Sequence, residues 1–502
     1  MCSRNTLFVS ILIQAMLLGT IAQAQWCPPE EIGSLASPAD PGGQGFGRSV
    51  GIFGSTQVVG ANDDGSYTGQ AYVYRFDGSD FAQEAVFSKQ GGLPGDHFAA
   101  SVATASDNIV VGAYGTGDIG IESGSAFFYR HNGTNWVQDS WIHAPDGAAG
   151  DMFGISVAMQ GNTAVVGALG DDDDGVSSGA AYIVEDDGSQ WSVTAKLTAS
   201  DADVYTQFGC DVDVWGNYAV GGAWGDDENG SFSGAAYVFY KDGNQWAEQA
   251  KLLPSDGEAH DRFGSSVAMY ENAVVVGAYT AGTSGAAYVF RRSAGQWVQE
   301  AKLVPTDTNY GAEFGVSVAI SEDLILVGAR YDEDNGLFSG ATFVFRYVEG
   351  DWVEVAKLLP SMGAPGEEFG KDVALSGDIA LAGASGGPDG EAYVFNLDTA
   401  PCSSDVPGEL SKVRFIQNHP NPFNPSTQIR FELPESESVT LRVYNAAGAK
   451  IATLFDGQAS AGSTTVQWNG RDQAGRSMPS GMYFYRLEGE GVDIGGRMAL
   501  VR

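Results

Sequence analysis

The sequence is short of basic residues and of long apolar segments. It holds 26 Lys and Arg against 63 Asp and Glu, a net charge of −37. Such a charge repels nucleic-acid phosphate and anionic lipid, so we expect neither as a partner. After residue 24, no stretch approaches the roughly 20 consecutive apolar residues that a membrane-spanning helix needs. We therefore expect no transmembrane segment in the mature protein.

The first 24 residues have the pattern of a secretory signal peptide. Arg4 is followed by an apolar run from Leu7 to Leu18, and then by a small-x-small motif that ends at Ala24. We expect residues 1–24 to be cleaved during export. Export to an oxidising compartment permits disulfide bonds.

Glycine is abundant, with 69 residues, and it recurs at a fixed period. The chain aligned on itself shows copies of one unit, spaced 51 to 55 residues apart. Each copy contains four apolar runs of strand length and no run with helical periodicity. Four antiparallel strands repeated at this period predict an all-β fold, a seven-bladed β-propeller over residues 25–399. The copies begin at Phe46, Phe98, Phe153, Phe208, Phe263, Phe314 and Phe369.

The seventh copy lacks a fourth strand, and a matching strand occurs near the N-terminus. Glu31 stands 15 residues before its repeat, as Glu248 does before its own. We predict that this N-terminal segment completes the last blade and closes the ring. The closure would bring Cys27 and Cys402 together, so we predict a disulfide bond between them. Cys210, on an inner strand, is predicted to remain a buried thiol.

The acidic residues are concentrated in two kinds of loop. Strand alternation puts the loop before each first strand on the same face as the loop between the second and third strands. Together these loops hold 28 of the 55 acidic residues of residues 25–411, which contain only 15 basic residues. The pattern predicts one strongly negative face that attracts a cation or a cationic partner.

The repeats resemble the FG-GAP family, which includes the propeller of integrin alpha chains. The resemblance covers about residues 30–396 and implies that the acidic face carries ligand-binding loops. Members that bind calcium have an Asp-x-Asp-x-Asp-Gly loop between the first and second strands. Here that connection is a tight turn, such as Gly161-Asn162, so those calcium sites are expected to be missing.

Acidic loops between the second and third strands offer other candidate metal ligands. Carboxylate and carbonyl oxygens suit a hard cation such as calcium, but these loops lack the later bidentate acid of a complete calcium loop. A plain solvated acidic surface is the alternative, and no other cofactor is expected. The candidate ligands are Asp171, Asp173, Asp226, Glu228, Asp332 and Asp334.

The composition changes after a linker at residues 400–411. Residues 412–502 carry ten basic and eight acidic residues. Alternating strands at 428–433, 439–444, 450–455, 464–468 and 482–488 predict a small immunoglobulin-like β-sandwich.

The C-terminal segment resembles the type A C-terminal sorting domain of the type IX secretion system. The resemblance implies transport across the outer membrane, with release or attachment at the bacterial cell surface. The alternative is an immunoglobulin-like domain related to that of flagellar hook-capping proteins, without sorting activity. The motif residues are Pro420, Asn421, Pro422, Phe423, Asn424 and Pro425.

No catalytic signature stands out in the sequence. The five histidines have no metal-ligand spacing, and no G-x-S-x-G, Walker or H-E-x-x-H motif occurs. Residues that break the repeat, such as Phe98-Ala99, Arg330 and His260, are the nearest catalytic candidates. We predict a secreted or cell-surface, non-enzymatic ligand-binding or adhesion propeller. Its predicted partners are the type IX machinery and an extracellular protein or glycan; the alternative is an extracellular enzyme that degrades polysaccharide or protein.

Overall fold

The structure is a computed structural model that describes residues 29–37, 45–62, 68–78, 80–387, 390–397, 415–419, 423, 425–433, 436–445, 450–460, 462–473, 475–489 and 492–500. The chain divides into two compact units, Met1–Pro401 and Cys402–Arg502. The predicted signal peptide, linker and Cys27–Cys402 disulfide lie outside the described residues. Every regular element within them is a β-strand, and none is a helix that could cross a membrane.

The described part of the first unit contains 28 strands. They are β1 Glu30–Leu35, β2 Phe46–Phe53, β3 Thr56–Ala61, β4 Gln70–Phe76, β5 Phe81–Phe87, β6 Phe98–Ala105, β7 Asn108–Ala113, β8 Ser125–His131, β9 Trp136–Ile142, β10 Val157–Gln160, β11 Thr163–Ala168, β12 Ala180–Asp186, β13 Trp191–Leu197, β14 Val212–Trp215, β15 Tyr218–Ala223, β16 Ala235–Asp242, β17 Gln245–Leu252, β18 Ser266–Tyr270, β19 Ala273–Ala278, β20 Ala286–Ser293, β21 Gln296–Leu303, β22 Phe314–Ser321, β23 Leu324–Ala329, β24 Ala341–Val348, β25 Asp351–Leu358, β26 Phe369–Ser376, β27 Ile379–Ala384 and β28 Glu391–Asn396.

These strands form seven antiparallel four-stranded sheets, as far as the described residues extend. Blades 1 to 6 each contain four consecutive strands, from β2–β5 to β22–β25, and blade 7 has the order β26, β27, β28, β1. The first strands of the blades contact one another in the order β2, β6, β10, β14, β18, β22 and β26, and β26 contacts β2. The sheets therefore form a closed β-propeller.

Strand β1 supplies the outer strand of blade 7. It pairs antiparallel with β28, with Glu31 opposite Phe395. The Glu31 carboxylate accepts hydrogen bonds from the backbone N–H and hydroxyl of Ser361, at 2.7 and 2.8 Å. Glu248 binds Ser200 in the same way, at 2.8 and 3.0 Å. The N-terminal segment thus occupies the position of the fourth strand of a repeat, the position that the sequence predicts for it.

The blades are packed closely enough to require glycine at specific positions. A Cβ atom on Gly277 would lie 2.1 Å from the carbonyl oxygen of Gly315 in the next blade, so a side chain cannot fit. Aromatic rings fill the wider outer spaces between blades. Phe208 packs edge-on against Tyr237 with ring centroids 5.7 Å apart, and Phe263 is fully buried. Small residues near the axis and large ones further out follow the taper of a propeller.

The second unit contains two facing sheets with one core. Its strands are β29 Phe415–His419, β30 Thr427–Leu433, β31 Glu437–Asn445, β32 Lys450–Ala459, β33 Gly462–Trp468, β34 Gly481–Gly489 and β35 Val492–Leu500. One sheet has the order β29, β30, β33 and the other β32, β31, β34, β35. The core centres on the buried Trp468, with Tyr483 and Phe423 against it. The predicted immunoglobulin-like sandwich is confirmed, although β29 and β35 were not among the five predicted strands.

Candidate functional site

Two kinds of loop lie together on one face of the first unit. The first-strand loop precedes the first strand of a blade, and the 2–3 loop joins its second and third strands. Backbone N–H groups of a first-strand loop donate to the 2–3 loop of the preceding blade, from Gly150 to the Ile121 carbonyl and from Gly366 to the Leu337 carbonyl, both at 2.9 Å. These loops hold the acidic residues located in the sequence, so we call this surface the acidic face.

In blade 3 a lysine on the outer strand gathers carboxylates from both loops. The Lys196 Nζ atom lies 2.9 Å from Asp146 of the first-strand loop. It also lies 2.8 Å from Asp171 and 2.6 Å from Asp173 of the 2–3 loop. The Tyr182 hydroxyl lies 2.8 Å from Asp146 and 2.9 Å from Asp171. One ammonium and one hydroxyl thus join three carboxylates, and we call this arrangement a lysine–carboxylate cluster.

The cluster recurs in blade 4 with nearly the same distances. Lys251 Nζ lies 2.7 Å from Asp201, 2.8 Å from Asp226 and 2.8 Å from Glu228. The Tyr237 hydroxyl lies 2.8 Å from Asp201 and 2.9 Å from Asp226. The ammonium also lies 5.4 Å from the centre of the Tyr237 ring, within cation–π range.

Blades 5 and 6 carry reduced forms of the cluster. In blade 6, Lys357 Nζ lies 2.9 Å from Asp332 and 2.6 Å from Asp334. The 2–3 loop of blade 5 has no acidic residue, and there Lys302 pairs with Asp256 of the first-strand loop at 2.6 Å. The 2–3 loop thus supplies two carboxylates to the lysine in blades 3, 4 and 6 and none in blade 5.

The clusters shift the pKa values of their members in the directions expected for ion pairs. Burial opposes ionisation of Asp201, but hydrogen bonds from Lys251 and Tyr237 outweigh it and lower the pKa of this carboxyl. Burial also opposes the charge of Lys251, and its hydrogen bonds to three carboxylates outweigh that effect and raise its pKa. Both groups are therefore held in their charged forms.

The sequence-predicted metal ligands all belong to these clusters. Their nearest cation in the structure is a lysine ammonium, so a divalent ion would have to displace a lysine in each blade. Among the described residues, no group of three or more His, Cys, Asp or Glu side chains has the arrangement of a metal site. The donor set fits an ammonium better than calcium, and calcium binding stays a prediction. The residues are Asp171 and Asp173 of blade 3, Asp226 and Glu228 of blade 4, and Asp332 and Asp334 of blade 6.

In blade 2 the four cluster positions hold uncharged residues. A lysine of the first-strand loop pairs with the loop acids instead: Lys89 Nζ lies 3.3 Å from Asp96 and 3.5 Å from Asp118. Trp141 takes the place of the cluster lysine and stacks on Phe127, with ring centroids 5.9 Å apart and planes 5° apart. Trp141 remains 46% exposed, and Ile121 of the 2–3 loop is 81% exposed. Between blades 3 and 2, all four residues of the cluster are therefore replaced together. The residues 55 positions before Asp146, Asp171, Tyr182 and Lys196 are Gly91, Thr116, Phe127 and Trp141.

A second group of residues surrounds the inner end of the acidic face. The residue directly before the phenylalanine of each repeat has a positive φ, between 51° and 87°. Non-glycine residues in this conformation carry strain and often cluster at functional sites. We call these the mouth residues, because they lie where the loops meet the first strands around the axis. They are Gly45, His97, Met152, Gln207, Arg262, Glu313 and Glu368.

The mouth residues differ chemically from blade to blade, unlike the scaffold residues. The Arg262 guanidinium lies 5.1 Å from the Trp224 ring and 5.3 Å from the Tyr279 ring, and it donates to the Tyr279 hydroxyl. Glu313 pairs with Arg330, whose Nε lies 2.6 Å from the carboxylate. Sequence analysis singled out Arg330 but missed the mouth residues, although each directly precedes a repeated phenylalanine.

Other repeat-breaking candidates have structural contacts. Ala99, which replaces the glycine of the Phe-Gly pair, is fully buried with a φ of 64°, and its carbonyl accepts the Ser49 hydroxyl at 2.9 Å. His260 lies in a first-strand loop and stacks on Phe232 with ring centroids 6.2 Å apart. Neither residue lies in a cluster of catalytic groups among the described contacts.

Three aspartates in or directly before first strands accept hydrogen bonds from the neighbouring blades. Asp211 and Asp213 accept the backbone N–H groups of Val267 and Met269 at 2.7 and 2.6 Å. Asp372 accepts the backbone N–H of Val50 at 2.7 Å. Burial raises the pKa of Asp211 and of Asp213 to about 7, and that of Asp372 to about 6.

Cys210, predicted as a buried thiol, is a half-buried free thiol beside these carboxylates. Its sulfur donates to the Gly264 carbonyl oxygen at 3.2 Å. Burial raises the pKa of the Cys210 thiol to about 12. The thiol is therefore protonated at neutral pH and is a poor nucleophile there.

In the second unit, the predicted sorting motif is described only in part. Phe423 is 2% exposed and packs on Trp468 with ring centroids 5.5 Å apart. The Trp468 indole donates to the Arg471 carbonyl oxygen at 2.9 Å. Pro425 is exposed, and the remaining motif residues lie outside the described part of the chain. The phenylalanine of the motif thus belongs to the core of the sandwich.

Two solved structures illustrate the general likeness of this fold to other proteins. A candidate 6-phosphogluconolactonase from Bacteroides uniformis is 10% identical, with a TM-score of 0.44, over 63% of this chain and 86% of that one. Sqt1 from Chaetomium thermophilum is 12% identical, with a TM-score of 0.42, over 75% of this chain and 86% of that one. Likeness at this level carries no argument about function. No curated protein matches the sequence.

Family comparison assigns both units. The FlgD Ig-like domain model matches residues 421–491. The FG-GAP repeat model matches six segments, each of which spans the outer strand of one blade and three strands of the next. The segments are residues 81–129, 136–184, 191–239, 246–290, 297–345 and 352–395. Together they cover more than half of the sequence, and the chain therefore belongs to the FG-GAP repeat family.

Proposed function

We propose that this protein is a secreted or cell-surface ligand-binding or adhesion propeller, and that the acidic face binds a cationic extracellular protein or glycan. The observation that carries the proposal is the gathering of loop carboxylates on one face. The clusters of blades 3, 4 and 6 each have a buried carboxylate held by lysine and further carboxylates that remain open to solvent; the side chains of Asp173 and Glu228 are 62% and 52% exposed. A single-sign face of this kind steers and selects partners of opposite charge.

A binding role is favoured over catalysis by how the carboxylates are used. In blades 3 and 4 the buried aspartate is shared between a lysine and a tyrosine. These contacts hold it as a structural anion, whereas a general acid or base must exchange a proton with a substrate. We therefore propose a non-enzymatic role for this face.

We further propose export through the type IX system, with the second unit as the sorting domain. The FlgD Ig-like match supports the domain type, and the motif residue Phe423 is anchored in its core. The same match also fits a domain without sorting activity. In a bacterium that carries the type IX machinery, deletion of residues 412–502 should leave the propeller in the periplasm. Equal secretion of the truncated and full-length proteins would contradict this part of the proposal.

Binding can be tested with the mature full-length protein on arrays of basic extracellular proteins and glycans. Asp173→Asn combined with Glu228→Gln should weaken binding, and about 0.3 M salt should weaken it further, because exposed charges are screened. The control is Asp187→Asn, in the tight turn between the third and fourth strands, where the aspartate is exposed and hydrogen-bonded only within the turn. Binding that is indifferent to the first pair, or substrate turnover without stable binding, would reject the proposal.

A further inference from the structure

Three cations on consecutive blades converge at the inner end of the otherwise acidic face. Arg48 and Lys371 each lie two residues after the repeated phenylalanine, in β2 and β26. Arg330 directly follows β23 in blade 6. Strand β26 contacts both β2 and β23, so these residues lie on neighbouring parts of the ring. The propeller has only 15 basic residues in residues 25–411, which makes three in one place a marked concentration.

The electrostatic environment of Lys371 shows that the three charges affect one another. Burial lowers the pKa of Lys371, and the positive charges of Arg48 and Arg330 lower it further, despite an ion pair with Glu368. Like charges act on a pKa in this way only when they lie close by. Arg48, Arg330 and Lys371 therefore lie close enough together for their charges to act on one another.

The pairing of these cations leaves Arg48 available. Lys371 is paired with Glu368 and Arg330 with Glu313. Arg48 is exposed and, within the described residues, has no ion pair or hydrogen bond from its guanidinium. Its charge acts on the carboxyl of Asp372, which already accepts the Val50 N–H. Arg48 therefore differs from the lysines of blades 3 and 4, whose charge is neutralised by three surrounding carboxylates.

Blade 5, next to blade 6, adds a fourth cation without a carboxylate partner. Arg262 is held between the rings of Trp224 and Tyr279, so its charge is balanced by aromatic faces. Cation–π contacts orient a guanidinium without neutralising it. Among the described residues, blades 5, 6, 7 and 1 therefore contribute Arg262, Arg330, Lys371 and Arg48 to the mouth, and the acids shown to act on these cations are Glu313, Glu368 and Asp372.

We propose that the mouth of the propeller, beside blades 6, 7 and 1, binds a carboxylate-bearing ligand, with Arg48 as its principal partner. The planar guanidinium presents paired N–H donors that match both oxygens of a carboxylate. Lys371 and Arg330 flank the site and add attraction. This site goes beyond the proposed function, since its ligand has the opposite charge to the partner of the acidic face.

The test is titration calorimetry of the full-length mature protein with two probes. Citrate represents a small free carboxylate, and tri-galacturonate represents the carboxylates of an acidic glycan. A neutral trisaccharide of galactose serves as the ligand control. At least one acidic probe should bind, and the probe that binds identifies the source of the carboxylate. If neither acidic probe binds, or if the neutral sugar binds equally well, the proposal is overturned.

Matched variants separate a local site from the general charge of the protein. Arg48→Gln should weaken binding at least tenfold. Arg75→Gln, which removes an equal charge from a half-buried arginine paired with Glu84 on blade 1, should change it less than twofold. Glu368→Gln should strengthen binding severalfold by releasing Lys371. Equal losses in the two arginine variants would overturn the proposal; melting curves check that each variant is folded.

Discussion

Replacing Lys251 with methionine tests whether a lysine–carboxylate cluster acts as one unit. Methionine keeps an unbranched stem of similar length and removes only the ammonium. Three carboxylates then lose their shared cation, which lay within 2.8 Å of each. The variant therefore isolates the electrostatic part of the cluster from its packing.

The expected cost follows from the burial of each carboxylate. Asp226 is 6% exposed, and removing the partner of a buried charge costs roughly 3–5 kcal/mol. Asp201 and Glu228 are about half exposed, so each loses less than about 1 kcal/mol. Asp226 keeps its 2.9 Å contact with the Tyr237 hydroxyl, which places the total near the lower bound. We expect Lys251→Met to cost about 3 kcal/mol.

Hydrogen exchange followed by mass spectrometry is the direct assay. The 2–3 loop of blade 4 is closed by the Gly234 N–H, which donates to the Asp226 carbonyl at 2.8 Å. A loss of about 3 kcal/mol corresponds to roughly a hundredfold faster exchange of amides that open locally. The matched loop of blade 3, around Asp171, should exchange at its original rate and serves as the internal control.

Neutralising the buried partner should recover much of the loss. In the Lys251→Met background, Asp226→Asn removes the stranded charge, so the double variant should be more protected than the single one. The four residue replacements that distinguish blade 2 can be introduced into blade 4 by changing Asp201, Asp226, Tyr237 and Lys251 to Gly, Thr, Phe and Trp. Protection in Lys251→Met that stays within a factor of three of the original, or no recovery on adding Asp226→Asn, would refute the reasoning.

Three further predictions concern the core of the propeller. Burial raises the pKa of Asp213 from 3.8 to about 7, so its contribution to stability is complete below pH 3.8 and is lost as pH rises through 7. The melting temperature should therefore fall between about pH 4 and pH 7, and Asp213→Asn should flatten that fall. Gly277→Ala should lower the free energy of unfolding, measured with denaturant, by at least about 3 kcal/mol, because its Cβ would meet a backbone carbonyl. Gly282→Ala, with open space around it, should lower it by about 1 kcal/mol. Similar losses in the two variants would contradict the close-approach argument. The unfolded, non-reduced mature protein should show one reactive thiol, that of Cys210, and reduction should raise the number of reactive thiols to three. Three reactive thiols before reduction would exclude the predicted disulfide.

The blades were predictable because their information is local. A strand of alternating residues, a tight turn and a second strand lie within about 20 residues, and their repetition at 51 to 55 residues identifies a propeller. The N-terminal closure was also predictable, since Glu31 matches a position in the other repeats. Sequence analysis missed strands β29 and β35, because turn residues do not mark both ends of Phe415–His419 or of Val492–Leu500.

The lysine–carboxylate clusters were not predictable from any local pattern. Lys196 lies 50 residues from Asp146 and 23 from Asp173, and in the sequence it is one residue of an outer strand. Sequence analysis therefore found the acidic loops but assigned their counter-ion to calcium or solvent. The signal that could have revealed the cluster is the joint change of four positions in blade 2, which becomes readable only when their contact is known.

The sequence by itself determined the all-β class, the repeated four-stranded unit, the closing N-terminal strand and the existence of a negative face. These properties depend on short-range periodicity and on composition, which survive without coordinates. Only the tertiary structure decided how the charge is used. It placed a lysine among the buried carboxylates of the face, and it brought Arg48, Lys371 and Arg330 together at the mouth. Charge pairing depends on distance in space, and the ring brings close residues that the chain keeps far apart.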